Sequence, residues 1–167
     1  MNDPIRIRRI LVPIDGSEFS RHAAEHAVRL AGEYESEVVF LHVVDDQIVG
    51  QLAHWEAHDG EPQARERLSA QGEVYLRDVG RLAEAQGVPH REVIAEGDPC
   101  MVICETAVRC EVNLIVMGKI GRRGTRRILV GSITRRVIES TDLPILVVTL
   151  PPSSSDDAST KPPRTEV

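Results

Sequence analysis

Apolar residues along the chain gather in five short unbroken runs, and between those runs they recur at helical spacing. The runs are RILVPI (9–14), EVVFLHVVD (37–45), REVIAEG (91–97), VNLIVMG (112–118) and PILVVTL, from Pro144 to Leu150. Unbroken β-branched runs predict strands covered on both faces, as in a parallel sheet. The intervening stretches predict helices. Residues 17–32 set Ala24, Ala27, Val28 and Ala31 on one face, with Gly32 as the stop. Residues 62–86 offer Leu68, Val74, Tyr75, Val79 and Leu82 as inward positions, closed by Gly87-Val88-Pro89. Asp98 caps a helix over 99–110 with Pro99 at its first position, and another helix spans about 132–140. Residues 46–61 read as a polar connection without period. The Pro- and Ser-rich residues 151–167 read as a disordered tail behind one domain, 1–150.

Regular alternation of strands and helices predicts an α/β fold: a single Rossmann-like domain, with a parallel sheet, helices on both faces and right-handed crossovers. Ligands of such sheets bind beyond the C-terminal strand ends, where the strand order reverses. Candidate chemistry is therefore expected at Asp15-Gly16, at 43–45, at Gly97-Asp98 and from Gly118 onward.

Composition narrows the classes further. Apolar residues make up 41% of the chain and charged residues 28%, as in ordinary globular proteins, and aromatics only 3%, so the core must be aliphatic. No apolar run approaches the roughly 20 residues that span a bilayer, and no signal-peptide pattern opens the chain. The expectation is a cytoplasmic protein without a membrane partner. Three cysteines, Cys100, Cys104 and Cys110, lie in one helical stretch and read as packing residues, not as a disulfide framework. A formal net charge of −6 argues against nucleic acid as a partner. Against that background, residues 118–136 carry seven Lys or Arg and no acid, as expected of a segment that meets a polyanion.

That segment holds the most informative motif, Gly118-x2-Gly121-x9-Gly131-Ser132. Gly118 and Gly121 bracket the turn that leaves the fourth strand, where a missing side chain lets a ligand approach the backbone. Gly131-Ser132 falls where the next helix begins. Its first N–H groups lack helical partners and carry the positive end of the dipole, so the pair forms a phosphate site to which Ser132 adds a hydroxyl. Arg122, Arg123, Arg126 and Arg127 lie between the glycine pairs and can face the remaining phosphate charge. At the end of the first strand Asp15 can accept from a ribose hydroxyl or hold Mg²⁺, although it also competes with Ser17 for the cap of the first helix. The spacing is neither a Walker loop nor a dinucleotide fingerprint.

Two histidine pairs complete the inventory. His22-Ala-Ala-Glu25-His26 fits an inverted zinc-protease pattern, but five residues meet it easily by chance, and the same helix must lay Ala24, Ala27 and Val28 on the sheet, which leaves little room for a substrate cleft. His54 and His58 flank Trp55 in the polar connection, where they read as surface residues or as a pH-sensitive lid.

From residue 9 to residue 149 the chain resembles the universal stress protein family. ILVPIDGSEFS, EGDPC, VNLIVMG and LPILVV match that family's landmarks in order, and the glycine spacing matches its ATP-binding branch. The resemblance implies a five-stranded sheet of order 3-2-1-4-5, ATP or a related adenine nucleotide in the crevice between strands 1 and 4, and a homodimer through the fifth strands. It implies Pro13 and Asp15 against the adenosine and Val43 against the adenine. Gly118, Gly121, Gly131 and Ser132 would wrap the ribose and phosphates, with Ile133 donating a backbone N–H, and Met117 and Arg122 would belong to the same nucleotide site. Lys119-Ile120 departs from the family's usual pattern after the first glycine, a small polar residue followed by a basic or polar one. The function so implied is a nucleotide-responsive binding module of the stress response. The alternatives are a slow Mg²⁺-dependent ATPase or phosphotransferase acting through Asp15, and a nucleotide-free scaffold for protein partners. No general base or nucleophile lies near the glycines to favour an enzyme.

Overall fold

The computed structural model describes residues 6–55, 60–121 and 129–150. The chain alternates in the order β1 (Arg9–Pro13), α1 (Glu18–Tyr34), β2 (Glu37–Asp45), α2 (Asp46–Trp55), α3 (Glu61–Ala85), β3 (His90–Gly97), α4 (Pro99–Arg109), β4 (Leu114–Gly118), α5 (Ser132–Ser140), β5 (Ile145–Val148). All strand pairs are parallel and the sheet order is β3-β2-β1-β4-β5, so the order reverses between β1 and β4. Residues 151–167, the proposed tail, lie outside the described residues, as does His58.

Period-two alternation along the strands divides the core between the two sheet faces. Ile10, Val12, Val38, Phe40 and Val116 pack under α1 and α3, through Ala23, Ala24, Ala27, Val28, Leu76 and Val79. Leu11, Val39, Leu41, Ile115 and Met117 pack under α4 and α5, through Cys100, Ile103, Ala107 and Val137. Cys100 is buried, Cys104 and Cys110 are half-buried, and all three are free thiols. At the sheet's N-terminal end Glu37 joins three strands, accepting from Arg9 Nε at 2.7 Å and pairing with Arg91 Nε at 2.6 Å. Burial pushes the Glu37 carboxyl up, but the bonds from Arg9 and Arg91 outweigh it and hold the group below its usual value.

Three expectations are corrected. Residues 46–55 are helix α2, whose Val49 seats against Val44 of β2 and Ala64 of α3. Gly32 does not stop α1; the helix runs on to Glu35, which takes a left-handed cap at φ 54° and donates its N–H to the Ala31 carbonyl. Val74 of α3 points outward, because the inner face of that helix is built from Ala64, Gly72, Leu76, Val79, Gly80 and Ala83. Among the described residues no helix is long and apolar enough to cross a membrane.

Candidate functional site

The loops after β1 and β4 meet at the reversal of strand order. Past β1 the Ile14 N–H still donates to the Leu41 carbonyl at 2.7 Å, and His42 Nδ1 donates to the Ile14 carbonyl at 2.8 Å. With its peptide held from both sides, Ile14 fixes where Asp15 emerges. Ser17, not Asp15, caps α1, its hydroxyl accepting from the Ser20 N–H at 3.1 Å. Asp15 instead accepts from the Ser17 N–H on Oδ1 at 3.0 Å. Its Oδ2 faces the β4 loop: a Cβ added to Gly121 would lie 2.6 Å from it.

On the β4 side three bonds fasten the loop to its neighbours. The Lys119 N–H donates to the Val148 carbonyl of β5 at 2.8 Å, and the Gly131 N–H donates to the Lys119 carbonyl at 2.8 Å. Thr134 Oγ1 donates to the Gly118 carbonyl at 3.1 Å. Gly131 is the N-cap of α5 and brings no capping side chain, and the first turn of α5 holds no acid. The first N–H groups of α5, including those of Ser132 and Ile133, find no acceptor within a regular helix, and the positive end of the helix dipole lies behind them.

Strand alternation sorts the remaining candidates. Met117 is buried in the cluster under α4 and α5, and Val43 and Ile133 pack half-buried against it; Pro13, two residues after Leu11, shares that face. Gly118 has the opposite orientation. A Cβ there would lie 2.8 Å from Phe19 C and Cβ and 2.9 Å from Phe19 O, so its bare backbone is already demanded by the first turn of α1. Ser132 and Gly121 are exposed and Asp15 half-buried. Arg122, Arg123, Arg126 and Arg127 lie outside the described residues. Sequence reasoning missed Thr134 and His42, which grip strand-end carbonyls and carry no motif of their own.

Two described arginines of the basic segment are engaged elsewhere. Arg135 approaches Glu139 at 3.9 Å, and Arg136 donates through both Nη atoms to Asp98 at 3.0 Å each. The Arg136 guanidinium first, and then the Met101 N–H that Asp98 caps, hold the Asp98 carboxyl below its usual range. A carboxyl lowered by folding contributes stability that is complete above its unfolded value and lost as pH falls through the folded one. Asp98→Ala should therefore lose the helix cap, about 1 kcal/mol, together with the pair to Arg136. Asp98→Asn should keep the cap and lose only part of the acid sensitivity. Urea melts at neutral and acid pH read both; equal acid sensitivity in wild type and Asp98→Asn would contradict this.

No group of three or more His, Cys, Asp or Glu side chains is arranged to hold a metal among the described residues. Asp15 therefore fits Mg²⁺ only as a single carboxylate beside other oxygen ligands. His22 meets Glu25 at 3.1 Å and His26 ring to ring at 4.8 Å, all three half-buried on α1. His54 is exposed at the end of α2. A groove of about 560 Å³ opens on the far side of the Asp15 turn, between α1 and α3, with Gly16, Ser17, Tyr75, Arg77 and Arg81 in its lining and none of the β4-loop glycines. It lies away from the α5 N-terminus, so its size does not make it the phosphate site.

Comparison with known proteins bears on the family and the fold. The sequence model of the "Universal stress protein family" matches residues 6–149. Universal stress protein MJ0531 of Methanocaldococcus jannaschii is 39% identical over 147 residues, which cover 86% of this chain and 83% of that protein. The solved structure of protein MJ0577 from the same organism superposes with a TM-score of 0.77 at 27% identity, covering 89% of this chain and 99% of that one. A universal stress protein solved in complex with cAMP shares the fold with a TM-score of 0.64 at 21% identity, covering 86% of this chain and 98% of the other.

Proposed function

The chain belongs to the universal stress protein family, and on that premise we propose that it is a binding module for an adenine nucleotide, ATP above all, held in the crevice between β1 and β4. The observation that carries the reading is the meeting of Asp15 with Gly121 beside an α5 N-terminus that is fastened to Lys119 and capped by a glycine without a side chain. A carboxylate suits ribose hydroxyls, and bare amides at a helix start suit phosphate. A relative of the same fold holds cAMP, itself an adenine nucleotide.

In this reading Pro13, Val43 and Met117 form the apolar wall for the base. Asp15 accepts from the ribose or helps hold Mg²⁺ at the phosphates. Gly121, Gly131, Ser132 and the Ile133 N–H enclose the phosphates, with Arg122 facing their outer charge and Gly118 setting the turn. Mg²⁺, when bound, would neutralise phosphate charge, and the residues named bind and orient. Occupancy would then alter the surface that protein partners meet. Calorimetric titration with ATP, ADP, AMP and adenosine tests this: affinity should rise with each phosphate. Equal affinity for adenosine and ATP, or none for either, would count against it.

The same protein would pair through β5. The two sheet edges differ: β3 exposes Arg91, Glu92 and Glu96, whereas β5 presents Ile145, Leu146 and Val147, with Leu146 38% exposed. Charged residues guard an edge against pairing and apolar ones invite it. Sedimentation equilibrium should give a dimer for the wild type and a monomer for Leu146→Glu; a monomeric wild type would remove the dimer.

A further inference from the structure

We propose that Thr134 is a positioning residue of the nucleotide site, holding the start of α5 at a fixed distance from the end of β4; the proposal rests on the nucleotide reading above. Thr134 is the third residue of α5 and only 4% exposed. A threonine hydroxyl in a helix ordinarily turns to its own backbone or to water. Here it reaches 16 residues back and donates to the carbonyl of Gly118, the last residue of β4, at 3.1 Å.

That bond works with a second one. The Gly131 N–H to Lys119 carbonyl bond ties the residue just before α5 to the residue just after β4. Together they bind the first turn of α5 to the strand end at two points, one on each side of the exposed Ser132. Phosphate oxygens on the α5 amides and a ribose on Asp15 are both located relative to β1 and β4. Removing the Thr134 hydroxyl frees one of the two ties, and the amides can then shift away from the distance at which ribose and phosphate are held together. The opposite side of α5 is fixed separately, by Arg136 on Asp98 of α4, which sets the helix against α4 and not against the phosphate position.

Thr134→Val preserves the shape and deletes the donor, Thr134→Ser restores the donor, and Arg136→Gln breaks the other tie of α5 as a control. Calorimetry with ATP and adenosine should show Thr134→Val weakening ATP about tenfold, the scale of one lost hydrogen bond, while adenosine changes by less than about twofold. Thr134→Ser should recover most of the ATP affinity. Arg136→Gln should lower the melting temperature without changing the ratio of ATP to adenosine affinity. If Thr134→Val does not fold, Thr134→Ala, which leaves space for water on the Gly118 carbonyl, carries the same expectation. Equal losses for ATP and adenosine, or no loss, would overturn the role of Thr134 while leaving the nucleotide site standing. A wild type that binds neither ligand would overturn the site and this role together.

Discussion

Gly118→Ala should destabilise the protein by about 2–3 kcal/mol and lower its melting temperature by roughly 5–10 °C. The added methyl would sit 2.8 Å from the Phe19 carbonyl carbon and Cβ and 2.9 Å from its oxygen. Backbone atoms in the first turn of a helix cannot swing aside as a flexible side chain can. The turn is pinned besides, because Ser17 caps it and Ser20 Oγ donates to the Ser17 carbonyl at 3.0 Å. Relief must come from moving α1 off β4, which disturbs the core of Ala23, Ala24 and Ala27 against Val116. Circular dichroism melts of the two proteins read the effect directly. A variant that melts within a degree of the wild type would show that Gly118 is not fixed by packing.

Gly121→Ala should do the reverse, leaving stability within about 0.5 kcal/mol and weakening nucleotide binding about tenfold or more. Its new methyl would meet Asp15 Oδ2 at 2.6 Å, with the rest of that carboxyl no nearer than 3.8 Å. Gly121 is exposed, and the clash falls on the tip of a side chain that must rotate, not on backbone. The rotation removes Asp15 from the crevice and the methyl occupies the space beside it. The contrast between two glycines three residues apart follows from what each one faces. Unchanged ATP affinity in a folded Gly121→Ala protein would separate Asp15 from the site.

Strands were plain in the sequence because burial on both faces leaves unbroken runs such as VVFLHVV, which few other structures produce. The inward side of α1 was equally plain, since alanines at helical spacing packed as expected on Ile10, Val12 and Val116. Small residues hid the inner face of α3: Gly72, Gly80 and Ala83 carry little hydrophobic signal, so the larger Val74 drew attention from the solvent side. Helix α2 was hidden because a 10-residue helix containing Gly50 is marginal alone and depends on Val49 seating against Val44 and Ala64. At the candidate site, the glycine spacing marks the turn after β4 and the start of α5 but not what each glycine touches. Gly118 faces a helix and Gly121 a carboxylate, a difference set by the pleat and by the position of α1. Thr134 and His42 left no trace in the pattern, since bonds to carbonyls 16 and 28 residues away have no local signature.

The most direct measurement is a two-dimensional amide NMR titration of the isotope-labelled full chain with ATP. Expected are the largest shifts at Gly121, Ser132 and Ile133, with smaller ones at Asp15 and Val43 and little change around Tyr75, Arg77 and Arg81. Shifts concentrated instead in the groove between α1 and α3, or a spectrum that ATP leaves unchanged, would contradict a nucleotide held between β1 and β4.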